Sequence, residues 1–510
     1  MGNRDLSATW AYHDGTKHSP ESIRRSPGFL DWDNLPLPFK IYKDLEPIPL
    51  PHDTAATSRP ALAAIADAGS AAGGGPALDL RVLAHVLHCS AGVLRRRTHP
   101  GGEVFFRAQA CTGNLHHIDL YLVCGALAGL AAGIYHFGPH DFALRRLRSG
   151  DYRAAVVEAT GREPAIAGAP VVVACTSTFW RNAWKYRSRT YRHCFWDNGT
   201  LLANLLAVSA ALDVPARVVL GFVDDTLDRL LELDSRREVT LSLVALGSGA
   251  APPPSPPPVS PIELETLPLS VREIDYPAVR EAHVASSLRT VEEVVSWRRP
   301  LLAAPSAPAP ERCLPLAPRR SEPSETIERV IRRRGSTRRF SHAPINFAAL
   351  STILRSVSRG VPADYVAPAD VVAELYLIVN AVDGLAPGTY FFDRLRDGFV
   401  PLRAGDLRRE AGHLALGQAL AADAAVNLYW LVDLGPVLER LGNRGYRAAQ
   451  LDAAIAGGKS YLAAFALGLG ATGLTFFDDD VTAFFSPHAE GKSVMFLMAV
   501  GKPEGRGPTR

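Results

Sequence analysis

The sequence has few cysteines, no excess of either charge and no paired metal-ligand motif. Six cysteines are scattered over 510 residues without a Cys-X-X-Cys pair, so neither a disulfide framework nor a zinc site is predicted. Lys plus Arg number 55 against 52 Asp plus Glu, and no basic stripe carries aromatics, so nucleic acid is not an expected ligand. A reducing cytoplasm fits this cysteine usage best.

Apolar segments of targeting or membrane type are also lacking. The first thirty residues contain no apolar core of a secretory signal, so we expect the protein to stay in the cell. The run nearest to membrane length, LYLVCGALAGLAAGIYHF at 120–137, is broken by glycines. A related run at 375–392 carries Asp383 and Pro387. Both runs are therefore expected to be a soluble strand, a turn and a second strand.

A long internal repeat is present, with a constant offset of 255 residues. Leu120 matches Leu375 and Arg189 matches Arg444, and the same offset pairs Asp224 with Asp479. About 105 residues align in this way without a gap. A period of this size indicates a duplicated domain, and two similar domains in one chain are expected to pack as a pseudo-symmetric pair.

The two repeats are separated by proline-rich sequence. Residues 249–263 and 304–325 predict an extended connector, with a short amphipathic stretch near 276–298 between them, and we favour a spacer over a partner-docking site. Helical and strand patterns alternate in each half, which predicts a mixed α and β class without deciding between doubly wound and α+β sheets. The predicted divisions are a first domain at 1–248, a connector at 249–325 and a second domain at 326–510.

One stretch of arginines occurs only in the second half. Residues 332–340 read RRRGSTRRF, and such a cationic stretch with small hydroxyl residues can hold a phosphate through charge-assisted hydrogen bonds. Arg334 and Arg338 fall opposite Ala66 and Ser70 in the first half. A solvated helix face or loop is the alternative interpretation.

The first half has its own distinctive loop, RAQACTGNLHHIDLY at 107–121. Its Gly113 and Asn114 suit a backbone that passes close to a flat ligand. His116 and His117 are adjacent, so their side chains point apart, and no carboxylate is spaced to join them. They are interpreted as structural histidines, and no metal is predicted.

A third difference lies in KYRSRTYR at 185–192, whose repeat at 440–447 reads RLGNRGYR. Lys185 and Tyr186 have no counterpart there. The residues common to both copies favour a role at a helix start or at the domain interface; they are Arg189, Tyr191 and Arg192. From the residues alone, Lys185 is interpreted as a surface lysine and Tyr186 as a wedge between domains.

Taken in order, these motifs resemble a known family. RRGSTRRF, GNLH before IDLYLV, GIYHF before LRRLRSGD, KYRSRTYR and the N-terminal YHDGTKHS are together similar to the SagB/ThcOx type of azoline dehydrogenase. The resemblance implies an α+β fold of two tandem nitroreductase-like domains, which form a pseudo-symmetric dimer within one chain. It also implies an FMN enzyme that oxidises azolines to azoles in natural product biosynthesis, with a cyclodehydratase-type partner.

The resemblance also assigns site residues. The phosphate candidates are Arg334, Ser336 and Arg338, with Lys502 and Arg506 as weaker ones. Gly335 departs from the family, which often has a second arginine at that place. Gly113 and Asn114 fall on the flavin ring, where Ala110 and Cys111 replace the usual Pro and Ser.

Lys185 and Tyr186 match the acid and base pair of the family, with Lys185 as the candidate base. Removing a hydride and a proton from neighbouring carbons requires a base opposite the hydride acceptor. We expect burial, or the cations Arg189 and Arg192, to lower the pKa of Lys185.

Neither half carries both the arginine stretch and the glycine loop. We therefore expect one composite site built from both halves, or drift toward a non-catalytic role. A general flavin reductase for nitro compounds or quinones, and a flavin-free scaffold subunit of a peptide-modifying complex, are the alternative functions. The number of FMN molecules and any further oligomerisation are left open by the sequence.

Overall fold

The first domain is built on a large antiparallel sheet. The computed structural model describes residues 2–25, 28–53, 57, 59–70, 77–99, 102–298, 313–318, 325–367 and 370–505. The strands of the first domain are β1 (Pro47–Pro49), β2 (Val93–His99), β3 (Gly102–Arg107), β4 (Ile118–Cys124), β5 (Gly133–Gly138), β6 (Ala143–Ser149), β7 (Val171–Thr178), β8 (Ala216–Val219) and β9 (Glu238–Leu246). Seven of them form a sheet in the order β1-β6-β5-β4-β7-β9-β8, and β2 and β3 form a separate hairpin.

Helices cover this sheet. They are α1 (Ser7–Gly15), α2 (Pro20–Arg25), α3 (Ala61–Ala66), α4 (Leu80–Ala91), α5 (Arg153–Ala159), α6 (Pro164–Ala167), α7 (Phe179–Tyr186), α8 (Thr190–Ala211) and α9 (Asp224–Leu230). Helix α4 begins where the side chain of Asp79 accepts a hydrogen bond from the amide of Val82 at 2.8 Å, which satisfies one of the amides left open at a helix start.

The connector is partly helical and packs on the first domain. It contains α10 (Pro277–Ala285) and α11 (Val291–Trp297), within the stretch predicted to be amphipathic. The preceding proline-rich segment also lies against the domain, because Arg148 donates to the carbonyl of Ser260 at 2.7 Å and the amide of Leu267 donates to Ile41 at 2.9 Å. Most of the second proline-rich segment falls outside the described residues.

The second domain repeats the plan. Its strands are β10 (Leu314–Pro315), β11 (Ile345–Asn346), β12 (Glu374–Val379), β13 (Val382–Asp383), β14 (Gly388–Asp393), β15 (Gly398–Ala404), β16 (Val426–Val432), β17 (Gly470–Leu474) and β18 (Ser493–Gly501). Its helices are α12 (Ile327–Arg333), α13 (Phe347–Ser358), α14 (Arg408–Leu414), α15 (Ala419–Asp423), α16 (Leu434–Leu441), α17 (Arg444–Ala466) and α18 (Asp478–Phe485). The sheet order is β10-β15-β14-β12-β16-β18-β17.

Both large sheets are antiparallel between all their neighbouring strands. The two orders are the same once each strand is replaced by its repeat. This arrangement decides between the two sheet classes that the sequence left open, and the prediction of two tandem α+β domains is confirmed. Among the described residues, the structure has no helix that is both long enough and apolar enough to span a membrane.

The long helices α8 and α17 pack side by side between the two sheets. A Cβ atom on Gly199 would stand 2.5 Å from the Cβ of Ala454, and a Cβ on Gly458 would stand 2.5 Å from that of Ala203. The two glycines therefore permit a close approach at two places related by the repeat. This packing makes one body of the two domains.

The repeat loses one residue after its penultimate strand. The ring of Phe222 packs under Arg444, and the ring of Phe476 packs under Arg189, so these two phenylalanines are equivalent at an offset of 254 rather than 255. Helices α9 and α18 likewise begin at Asp224 and Asp478. The pairing of Asp224 with Asp479 predicted from the ungapped alignment is therefore wrong, because Thr475–Phe477 spans in three residues what Leu220–Val223 spans in four.

Candidate active site

The residues common to KYRSRTYR and RLGNRGYR form a buried cluster at the domain interface. Asp478 of the second domain accepts hydrogen bonds from Arg189 at 3.1 Å and from Arg192 at 2.6 Å. Arg192 also donates to the hydroxyl of Thr16 at 3.0 Å and to the carbonyl of His13 at 2.6 Å. The N-terminal motif YHDGTKHS thus completes this cluster, which joins the first domain to the second.

A second cluster, related to the first by the repeat, lies on the other side of the interface. Asp224 of the first domain accepts from Arg444 at 2.6 Å and from Arg447 at 2.8 Å. Here Ser286 and His283 of the connector take the places of Thr16 and His13. The arginines common to both repeats therefore hold the two domains together on both sides of the interface.

One expectation about the lysine fails at this point. Burial alone would raise the pKa of Asp478, but the guanidinium groups of Arg189 and Arg192 lower it to about 2. One buried carboxylate is shared by two guanidinium groups, so the cluster keeps a net positive charge while both arginines are held at the interface. The expected burial of Lys185 is wrong, because its side chain is exposed, in agreement with the interpretation from the residues alone.

The arginine stretch reaches across the domain boundary. Arg334 follows α12, and its Nε and Nη2 donate to the carbonyl of Ala108 in the first domain at 3.2 and 3.1 Å. Its guanidinium lies 5.2 Å from the ring centroid of Tyr461 on α17. Burial lowers the pKa of Arg334, and no carboxylate lies within salt-bridge distance of it in the described part of the chain. Arg334 is thus a partly buried cation without a carboxylate partner among the described residues, which suits it to pair with an anionic group of a ligand.

The other phosphate candidates lie along the same stretch. Ser336 is exposed, and its hydroxyl accepts a hydrogen bond from Tyr461 at 2.9 Å. Arg338 and Lys502 are exposed, and the closing segment comes near the stretch because the amide of Ser341 donates to the carbonyl of Lys502 at 2.9 Å. Arg506 lies outside the described residues.

Helix α8 holds the glycine loop through one row of polar side chains. Asn204 donates to the carbonyl of Ala108 at 2.9 Å, and Thr200 donates to that of Ala110 at 2.7 Å. Asp197 accepts from the amide of Thr112 at 2.8 Å. The row follows the spacing of one helix face, and in the second half Ile455 and Lys459 replace Thr200 and Asn204. The sequence comparison missed this signal.

The Lys–Tyr pair lies at the tip of this loop. A Cβ atom on Gly113 would stand 2.8 Å from the phenol oxygen of Tyr186, and Lys185 Nζ lies 5.3 Å from the centroid of the Tyr186 ring. Burial raises the pKa of Tyr186, and Asp197 and Cys111 raise it further. The phenol therefore stays protonated at neutral pH and is suited to donate a proton. Gly113 itself has φ of 65°, so it meets both a conformational and a spatial requirement.

Asn114 and the two histidines shape the loop from within. The Asn114 amide donates to the carbonyl of Phe105 at 3.0 Å, and its oxygen pairs with His116 Nε2 at 3.0 Å. His117 pairs with Asp197 at 2.9 Å and with Ser177 at 2.8 Å, fully buried. Both histidines hold the loop together. The nitrogen and the oxygen of the Asn114 side chain thus both have hydrogen-bond partners within the protein. Its contact with a flavin ring remains a prediction.

At the 255-residue offset of the repeat, residues 473–475 and 107–111 correspond to residues 218–220 and 362–366. We call the place bordered by residues 473–475, the loop 107–114 and Arg334, which contacts that loop, the open crevice. Gly473 is exposed, and Leu474 and Thr475 are partly exposed. Two buried polar atoms at its borders have no hydrogen-bond partner among the described residues, Thr475 Oγ1 and Gln109 Oε1. An unpartnered polar group is costly when buried, so these two atoms are available to form hydrogen bonds with a bound ligand.

The equivalent place on the other side is a closed crevice, bounded by residues 218–221, residues 360–366 and Trp297 with Arg298. The carboxylate of Asp364 accepts from the amides of Leu220 and Gly221, both at 2.8 Å. The amide of Val218 donates to the carbonyl of Pro362 at 2.9 Å, so the segment 360–366 occupies the edge of β8.

Two connector residues complete this closure. Arg298 lies 3.5 Å from the Asp364 carboxylate. Trp297 is 1% exposed and packs against Gly221. In the closed crevice the amides of Leu220 and Gly221 therefore have partners within the protein. In the open crevice Gln109 and Thr475 each keep a polar atom without a partner among the described residues.

The structure thus brings several predicted site residues to one loop. Arg334 contacts its start, while Tyr186 lies against Gly113 at its tip, with Lys185 beside the phenol. Ser336 contacts Tyr461 rather than the loop. Within the described residues, the side chains of Arg338 and Lys502 form no hydrogen bond or ion pair with the loop. No group of three His, Cys, Asp or Glu side chains suited to a metal ion occurs among the described residues.

Comparison with known proteins agrees with this architecture. Residues 331–502 match the sequence model of the nitroreductase family. A candidate nitroreductase of Methanocaldococcus jannaschii is 22% identical over 170 residues, which make up 33% of this chain and 81% of that protein. The crystal structure of a candidate nitroreductase from Anabaena variabilis superposes on 98% of this chain and 99% of its own, with a TM-score of 0.75 and 24% identity.

A chain of the Escherichia coli microcin synthetase complex aligns with 48% of this chain at 16% identity and a TM-score of 0.31. That likeness is too low to support an inference. The full-length superposition shows that the whole chain has the nitroreductase fold, and the match of residues 331–502 gives its second domain the sequence signature of the nitroreductase family.

Proposed function

We propose that the chain is an FMN-dependent oxidoreductase with one composite cofactor site, and that it dehydrogenates azolines to azoles in a ribosomal peptide or related natural product. The observation that supports this proposal is the contact of Arg334, from the second domain, with the loop of the first domain that ends under Tyr186. The match to the nitroreductase family supports the redox chemistry. The resemblance to azoline dehydrogenases supports the substrate.

The chemistry of the residues present suits the two parts of FMN, with cations and a hydroxyl for the phosphate and a glycine-containing loop for the ring. Arg334, Ser336 and Arg338 would hold the phosphate, with Lys502 near them, and the loop at 107–114 would line the ring. Bound FMN supplies a two-electron acceptor for hydride. The closed crevice has no counterpart of the arginine stretch 332–340, and Asp364 and Trp297 fill it. The proposal therefore assigns one cofactor to each chain.

The protein's own contribution is to manage the proton. Lys185 is the candidate base that removes a proton from the carbon next to the one that loses hydride. Lys185 is exposed in the free protein, so a bound substrate would have to cover it to exclude water from the reacting carbon. Tyr186 has a protonated phenol within reach of the same space and would orient the lysine or return a proton. The same proposal places the protein in the cytoplasm, together with a cyclodehydratase-type partner that would supply the azoline.

The test uses the purified full chain. Absorbance in the flavin bands is expected with one FMN per chain, and incubation with a thiazoline peptide is expected to give a product lighter by two hydrogens. Lys185→Ala is expected to lower turnover on the peptide by at least about 100-fold, while Arg440→Ala, the equivalent residue of the second half, leaves turnover unchanged. A colourless protein that retains no added FMN would exclude the proposal in favour of a flavin-free scaffold.

The exposure of Lys185 favours one alternative, a general reductase of nitro compounds or quinones. Such an enzyme uses the same cofactor site and needs no desolvated base. Full activity of Lys185→Ala with a quinone, together with no activity of the wild type on thiazoline peptides, would establish it.

A further inference from the structure

Exposed apolar side chains are concentrated in two neighbouring segments, residues 29–35 and 267–274, which we call the apolar ledge. Six of the eleven large apolar side chains that are exposed in the described part of the chain belong to it. Among them Phe29 is 87% exposed and Trp32 is 67% exposed. The six are Phe29, Trp32, Leu35, Leu267, Val271 and Ile274. Contiguous exposed apolar surface of this kind marks a binding site more often than chance.

The two segments of the apolar ledge are fixed to each other. The amide of Asn34 donates to the carbonyl of Arg272 at 2.8 Å, and the backbone amide of Arg272 donates back to Asn34 Oδ1 at 3.0 Å. The amide of Leu37 donates to the carbonyl of Leu269 at 2.6 Å. The exposed side chains therefore project from a defined backbone, which lowers the ordering cost of binding.

The apolar ledge is continuous with the candidate active site. The ring of Trp32 lies 5.2 Å from that of Trp184, edge to face, and the Trp184 indole donates to the carbonyl of Asp31 at 2.9 Å. Trp184 directly precedes Lys185 on α7. On the other side, Leu115, next to Asn114, packs into the same apolar cluster. A substrate that extends beyond its reacting ring would meet the ledge.

Among the described residues, the second domain shows no such surface at the equivalent place. The end of α16 is covered by the N-terminal segment, because Arg4 donates to the carbonyls of Glu439 and Arg440 at 3.2 and 3.0 Å. Glu439 stands where the first domain has Trp184. Exposed aromatic surface thus occurs on the side that carries Lys185 and Tyr186, and not beside their counterparts.

We propose that the apolar ledge binds a bulky apolar side chain next to the reacting ring, so that the substrate class is a peptide with an aromatic or branched residue at that position. This inference rests on the proposed function. Asp31 and Asp33 are exposed beside Trp32. The exposed Arg272 of the same ledge carries the opposite charge, so the choice of a substrate peptide as the occupant rests on the continuity of the ledge with Trp184 and Leu115 beside the candidate site.

The test compares two synthetic thiazoline peptides that differ only in the residue before the ring, Phe or Gly. Calorimetry on the holoenzyme is expected to show the Phe peptide binding about tenfold more tightly, as burial of one large apolar side chain predicts. Trp32→Ala is expected to remove most of that preference, and Val271→Ala part of it. Leu395→Ala is the matched control, because Leu395 is also 67% exposed but lies in the second domain.

Equal affinity of the wild type for the two peptides, or binding of neither, would overturn the inference, as would an unchanged preference in Trp32→Ala. Size-exclusion chromatography tests whether a second copy of the chain occupies the ledge instead. A dimer that Trp32→Ala dissociates would identify the ledge as a self-association surface instead. Preferential binding without loss of two hydrogens from either peptide would count against azoline dehydrogenation while leaving the ledge as a peptide-binding surface.

Discussion

The open crevice and the closed crevice are equivalent places in a duplicated chain, and they differ in what satisfies their backbone. In the closed crevice, Asp364 accepts from two amides after β8 and Trp297 fills the space beside them. In the open crevice, Arg334 reaches the loop carbonyls and Thr475 Oγ1 is left without a partner among the described residues. A fused pair can therefore keep one site and convert the other into core, which two identical subunits cannot do.

The largest expected effect tests what the two sides still share. Asp478→Asn leaves two buried arginines without their carboxylate, which is expected to lower the free energy of unfolding by about 3–5 kcal/mol. Because the pKa of Asp478 is lowered to about 2 from its ordinary 3.8, its contribution is present above about pH 4 and is lost as the pH falls through 2. Denaturant titrations at several pH values measure both.

Asp479→Asn is the matched control for this loss. Asp479 is 76% exposed and pairs only with Lys17 among the described residues, so its loss is expected to cost less than about 1 kcal/mol. Equal losses in the two variants would contradict the one-residue shift in the repeat.

Lys459 and Asn204 occupy equivalent positions on the two central helices, and only one of them titrates. Burial lowers the pKa of Lys459 to about 7 from 10.5. The unfolded chain therefore binds more protons between these values, so stability rises with pH from about 7 to 10.5 and is level below. Lys459→Met is expected to remove this rise in the free energy of unfolding, which is on the order of 5 kcal/mol at about 1.36 kcal/mol per pH unit and is measured by denaturation across this range. Lys43→Met, at an exposed lysine, should leave the slope intact.

Variants of Arg334 and Arg359 test which of the two crevices binds FMN. Arg334→Ala is expected to weaken FMN binding by about 10- to 100-fold, through loss of charge-assisted hydrogen bonds. Arg359, which pairs with Asp67 near the closed crevice, is expected to be replaceable by alanine without effect. Fluorescence titration of the apoprotein with FMN measures both, and similar losses in the two variants would show that the site is not confined to the open crevice.

The smallest effect separates strain from contact. Gly113→Ala and Gly384→Ala both place an alanine at positive φ, +65° and +84°, so each is expected to lose about 1 kcal/mol of stability. An added Cβ meets the Tyr186 phenol at 2.8 Å only in the first case, because Gly384 has no atom within 4 Å. Only Gly113→Ala is therefore expected to lower turnover several-fold. A thermal melt and a rate measurement check the pair.

The sequence predicted the two-domain architecture because the repeat retains the apolar pattern of every large strand. It also separated the shared arginines from the unshared lysine and tyrosine, and the structure puts Arg189 and Arg192 on the interface. It could not predict the closed crevice, because Asp364 and Trp297 are ordinary residues until the fold brings them to Gly221. The exposure of Lys185 agrees with its interpretation from the residues alone, whereas the expectation of burial came from the role that the family resemblance implies.

The paired clusters at the interface also link the consolidation of each domain to that of the other. The carboxylate that binds the amide of His18 and the guanidinium of Arg192 is that of Asp478 in the second domain. In the other direction, Asp224 of the first domain binds Arg444 and Arg447. Each domain on its own therefore lacks the counter-charge of its interface groups, and these groups leave water only when the two domains meet.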